Sequence, residues 1–115
     1  MFNNLLLGTF LSVPAHFRAR AVNQSGVAGE GSVLVCEAEG DLPLHVTWSA
    51  SHRPLNPSHT QIIERQTPHG VSTELRLEPL TRRDAGPYRC SASNDFGQDE
   101  MIIYLAVKGD LFFPY

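Results

Sequence analysis

Five stretches of this chain alternate apolar and polar residues with a period of two, a pattern that half-buried strands produce and helices do not. In "GSVLVCEAEG", Leu34, Cys36 and Ala38 fall on one phase and Val33, Val35 and Glu37 on the other. "LHVTWSA" sets Val46 and Trp48 against His45, Thr47 and Ser49. "VSTELRLEP" sets Thr73, Leu75 and Leu77 against Glu74, Arg76 and Glu78, and "PYRCSAS" sets Tyr88, Cys90 and Ala92 against Arg89, Ser91 and Ser93. "EMIIYLAV" points Met101, Ile103, Leu105 and Val107 inward, leaving Ile102, Tyr104 and Ala106 outside. Turn formers separate the runs: Gly29 and Gly31, Gly40-Asp41, Pro54 to Pro57, Pro68 to Gly70, Asp84 to Pro87, and Asn94 to Gly97. Strands of about six residues, with turns every eight to twelve or so, predict an all-β sandwich or barrel.

The rest of the composition narrows the function. At 115 residues the chain is one domain's worth. A formal net charge of -3 with no run of like charge gives no electrostatic case for nucleic acid. No segment approaches the roughly 18 apolar residues that span a bilayer, so no membrane insertion by this chain is expected. Residues 1–13 read as a leader or signal segment: Leu5 to Val13 is apolar and Val13-Pro14-Ala15 follows, though no Lys or Arg precedes it. Residues 14–108 are the expected domain, and residues 109–115 an apolar C-terminal tail.

Cys36 and Cys90 both fall on inward phases, Trp48 is inward twelve residues after Cys36, and Tyr88 lies two before Cys90. With "L-R-L", "D-A-G-P-Y-R-C" and "A-S-N-D-F-G", this constellation resembles the immunoglobulin superfamily, and within it the intermediate set, over about residues 14 to 107. The resemblance implies an all-β, immunoglobulin-like two-sheet Greek-key sandwich (I-set). It also implies a Cys36–Cys90 disulfide between the sheets, Trp48 packed on it, Tyr88 as a corner, and Leu77, Asp84 and Gly86 completing the signature. The alternative is a reduced core pair, as in muscle-type intermediate-set domains inside cells. A reduced, inward Cys90 would be a poor nucleophile, because burial raises a thiol's pKa and hides it, and a bridged Cys90 carries no thiol. Gly86 suits a tight connection in a conformation other residues resist. Asp84 is expected to pair with Arg65 or Arg82.

A finer resemblance rests on "VPAHF" at the first strand, "C-E-A-E-G-D-L-P-L-H-V-T-W" and "S-N-D-F-G-Q-D-E". These are similar to immunoglobulin modules of the Down syndrome cell adhesion molecule (Dscam) family. The likeness implies a non-enzymatic module of a membrane-anchored cell-surface receptor in neuronal wiring or axon guidance. Its partners would be proteins: the same protein on an opposing cell, or neighbouring immunoglobulin or fibronectin type III modules. A passive spacer in such a receptor, or a titin-like structural domain inside cells, are the alternatives.

Several chemistries are weighed directly on the residues. Asn23-Gln24-Ser25 is an N-glycosylation sequon in an expected surface segment, whereas Asn56-Pro57-Ser58 is disqualified by its proline. The five histidines (His16, His45, His52, His59 and His69) show no helical i, i+4 or close strand spacing, so no metal is expected. No G-x-S-x-G elbow or buried carboxylate pair is legible, which argues against an enzyme, and no cofactor is expected. What remains is an exposed face. The strands carrying His45, Thr47, Ser49, Arg89, Ser91, Ile102 and Tyr104 should share a sheet, and of these His45, Thr47, Arg89, Ile102 and Tyr104 are the candidate interface.

Overall fold

The computed structural model describes residues 11–109; nearly all of the expected leader and tail lie outside them. Seven strands follow in order: β1 (Ala21–Val27), β2 (Ser32–Glu39), β3 (His45–Ala50), β4 (Thr60–Thr67), β5 (Gly70–Leu77), β6 (Gly86–Asn94) and β7 (Gly97–Lys108), with a 3-10 turn at Arg82–Asp84. They form two sheets, β1-β7-β6-β3 and β2-β5-β4. All pairings are antiparallel except β1 with β7, which is parallel.

The five alternating runs become β2, β3, β5, β6 and β7 with the expected phases. Leu34, Cys36, Leu75, Leu77, Tyr88, Cys90, Ile103 and Leu105 are buried between the sheets, with Trp48, Leu80 and Met101 in the same cluster. Val33 and Val35 face outward, as their phase requires. Two strands lack such a pattern. β1 is one of the two edge strands of its sheet and is mostly exposed, and its order comes from pairing with β7 from Ala21↔Ile102 to Val27↔Lys108. Gln24 reaches across the open side of the sandwich from β1, its Nε2 donating to the Val33 carbonyl at 2.9 Å. β4 is likewise an edge, held only by β5. The "VPAHF" stretch makes a single bridge, His16 to Glu39 of β2, before the chain crosses to the other sheet.

Polar side chains fix that crossing. The Asn94 amide donates to the carbonyls of Val13 (2.9 Å) and Asp41 (3.1 Å), while its oxygen accepts from the N–H of Ala15 and of Phe96. Asp99 accepts the Phe17 N–H at 2.9 Å and the Arg20 guanidinium at 2.8 Å. Burial pushes the Asp99 carboxyl up, but these donors and the Glu100 N–H outweigh it and hold it below the usual carboxylate range.

Candidate protein-binding face

The covalent and polar centre of the sandwich positions the face. Cys36 of β2 and Cys90 of β6 form a disulfide with Cα atoms 6.6 Å apart, joining the two sheets. Trp48 lies directly opposite Cys90 in the β3–β6 register. Its indole N–H donates to Thr73 Oγ1 on the other sheet at 3.0 Å, so both buried polar groups are satisfied. Thr73 falls on an inward phase in the sequence, but nothing there signals this bond.

Below it, the Tyr88 hydroxyl donates to the Asp84 carbonyl at 2.6 Å, and the His52 ring meets the Tyr88 ring edge-on at 5.1 Å. Gly86 between them has φ +138, and a Cβ there would sit 3.0 Å from the His52 ring, so both conformation and space call for glycine. Burial pushes the Tyr88 phenol up to about 12, the Asp84 charge adds to this, and Arg53 opposes it. A group whose folded pKa is raised contributes stability below its unfolded pKa of about 10, and loses it as pH rises through the folded value. The wild type is therefore expected to lose on the order of 3 kcal/mol between pH 10 and about 12. Tyr88→Phe should show no such component in urea titrations across that range. Equal alkaline losses would refute it.

Of the two arginines expected beside Asp84, Arg65 reaches Glu74 instead, at 4.0 Å, while Arg53 and His59, which were not expected there, meet the Asp84 carboxylate. His59 Nε2 lies 3.0 Å from Oδ2, which also accepts from the N–H of Thr81 at 2.7 Å and its hydroxyl at 3.1 Å. Arg53 and His59 come from the coil between β3 and β4, which the sandwich folds over the 3-10 turn. Chain order alone does not bring them there.

On this frame the outer face of the four-stranded sheet is a set of rows. His45, Ser93 and Gln98 are in register, as are Thr47, Ser91 and Glu100. Ser49, Arg89, Ile102 and Ala21 form the third row; Pro87, Tyr104 and Asn23 the fourth. The five candidate interface residues are thus all on one face. His45, Thr47, Arg89 and Tyr104 are exposed, and Ile102 is half-buried in its row. Arg89 and Glu100 approach at 3.6 Å with both side chains at least half exposed, so this pair contributes little to stability. A shallow groove runs between Arg20 and Asp99 on one side and His45 on the other, floored by Thr47, Ser91 and Ile102. Arg20 and Asp99 were not singled out in the sequence, since the crossover that brings Arg20 to β7 carries no local signal. The sequon asparagine, Asn23, is exposed on the same face. Among the described residues no cluster of three His, Cys, Asp or Glu side chains converges, and no helix is long and apolar enough to cross a membrane.

Known proteins place this arrangement. The immunoglobulin I-set domain model matches residues 15–107. The cell adhesion molecule Dscam2 of Drosophila melanogaster is 38% identical over 84 residues, covering 70% of this chain and 4% of that protein. Dscam1 of the same organism is 31% identical over 108 residues, covering 91% of this chain and 5% of that protein. The chain therefore spans about a twentieth of the length of these relatives. Among solved structures, an I-band fragment of titin superposes with a TM-score of 0.71 at 26% identity, covering 84% of this chain and 33% of that one. With its two-sheet topology, inter-sheet disulfide and tyrosine corner, the chain belongs to the immunoglobulin I-set domain family and is related to cell adhesion molecules.

Proposed function

We propose that the chain is a recognition module of a membrane-anchored cell-surface adhesion receptor, pairing with a copy of itself on an opposing cell through the outer face of β1-β7-β6-β3. The observation that carries this reading is the juxtaposition of Arg89 and Ile102 in one row of an open sheet, with Thr47 and His45 exposed on the rows beyond it. Arginine is among the residue types that dominate binding energy at interfaces. The face also carries both signs of charge, Arg89 against Glu100. A two-fold contact brings a patch against its own copy, so mixed charge lets Arg89 of one copy reach Glu100 of the other.

Size sets the expected strength. Four strands about 4.8 Å apart and four rows about 7 Å apart present on the order of 400 Å², half the roughly 800 Å² per partner of a standard interface. An isolated module should pair weakly and act through the avidity of linked modules. Arg89→Glu places like charges opposite each other and is expected to weaken self-association on the order of ten-fold, with the thermal midpoint unchanged because Arg89 is exposed. The measurement is aggregation of beads coated with the multi-module receptor, alongside sedimentation of the module. Unchanged aggregation by the Arg89→Glu receptor would favour a spacer contributing length alone. A titin-like role inside cells, supported by the structural likeness to titin, predicts two free thiols in native protein from its own source.

A further inference from the structure

Two features that are separate in the sequence, the Asn23 sequon and the outward Tyr104, are neighbours in the structure. We propose that an N-glycan on Asn23 lies against Tyr104 and closes the row they share, leaving partner contact to Arg89, Ile102 and the β3–β6 side. The inference rests on the cell-surface reading above, because only a chain in the secretory pathway meets the donor. That donor is an oligosaccharide on a lipid pyrophosphate. Asn23 Nδ2 bonds to the anomeric carbon of the first sugar as the bond from that carbon to the pyrophosphate oxygen breaks. The lipid pyrophosphate leaves with the electron pair, and the amide loses one proton.

The geometry favours both attachment and shielding. β1 is an edge strand, and Asn23 and Ser25 on it are exposed. Asn23 pairs in register with Tyr104, so their side chains project from the same face of strands about 4.8 Å apart. Small residues flank the pair: Asn23, Ser25, Gly86, Tyr104 and Ala106 line a shallow groove between β1 and β7. A hexose ring fits such a groove, with its C–H face on the half-exposed Tyr104 ring, since an aromatic side chain offers a large apolar surface. β3 lies three strand spacings from β1, about 14 Å away. His45 and Thr47 there stay open to a partner while Tyr104 does not.

The test is secretion of the chain, with a signal peptide supplied, from glycosylating cultured cells, beside Ser25→Ala, which removes the sequon and keeps Asn23. Intact mass before and after peptide N-glycosidase should show a glycan on the wild type and none on Ser25→Ala. Hydroxyl-radical labelling, read by peptide mass, should modify Tyr104 several-fold less in the glycosylated protein and His45 equally in both. Secreted wild type without glycan overturns the proposal, and so does a glycosylated protein whose Tyr104 labels as fast as that of Ser25→Ala. Neither readout depends on self-association. Failure of the adhesion reading, seen as unchanged bead aggregation by Arg89→Glu, is therefore separately visible.

Discussion

Replacing Cys36 and Cys90 together by alanine is expected to cost about 4 kcal/mol of unfolding free energy, read from urea denaturation of oxidised wild type against the double variant. The bridge closes a loop with a sequence separation of 54, and loop-closure entropy for that length gives the figure. The topology explains why the cost is high in this position. No backbone ladder connects the two sheets, which meet only through side chains. The bridge is the covalent tie between β2 and β6, and Trp48 sits on it in register with Cys90. A domain of this size has about 5–15 kcal/mol of net stability, so the variant should be marginal at 37 °C. A loss under about 1 kcal/mol would mean that side-chain packing alone holds the sheets together, and that the fold tolerates a reducing compartment. The wild type reduced with a thiol provides the control, since it loses the bridge without altering core volume.

What could be read from the sequence follows the physics of burial. β2, β3, β5, β6 and β7 each put one face in the core, so their alternation carries the register. The inward set Met101, Ile103 and Leu105 is the clearest instance. β1 and β4 bury no residue fully, and their extended form is imposed by β7 and β5 rather than by their own residues. "AVNQSGV" and "TQIIERQT" accordingly lack a period-two pattern. The candidate face was legible as a set of outward phases, because strand phase fixes which side a residue takes. Which phases stand beside which was not. The pairing of Asn23 with Tyr104 depends on a parallel contact between residues 81 apart (104 − 23). Arg53 and His59 reach Asp84 through a coil whose path is set by the sandwich it crosses. Asn94 holds Val13 and Ala15 for the same reason: the contact is tertiary, and no local rule announces it.

Asp84→Ala is expected to destabilise the fold by about 3–5 kcal/mol, the range for removing one partner of a buried charged network. Asp84 is 1% exposed and accepts hydrogen bonds from Thr81, His59 and Arg53, so alanine leaves several donors unmatched. Asp84→Asn keeps the shape and an acceptor for Thr81, and should cost less, about 1–2 kcal/mol. It also isolates the charge. Burial pushes the Asp84 carboxyl up, but the hydrogen bonds from His59 and Thr81 outweigh it, so the folded pKa lies below the usual value. A depressed carboxylate contributes stability above its unfolded pKa of about 3.9, and loses it as pH falls through the folded value. Urea denaturation of wild type and Asp84→Asn at neutral pH, near pH 4 and below should therefore show the wild-type advantage shrinking on acidification. A difference that stays constant down to about pH 2 would mean the carboxylate charge contributes nothing to the corner. In that case the network would act only by shape, holding the Asp84 carbonyl where Tyr88 reaches it.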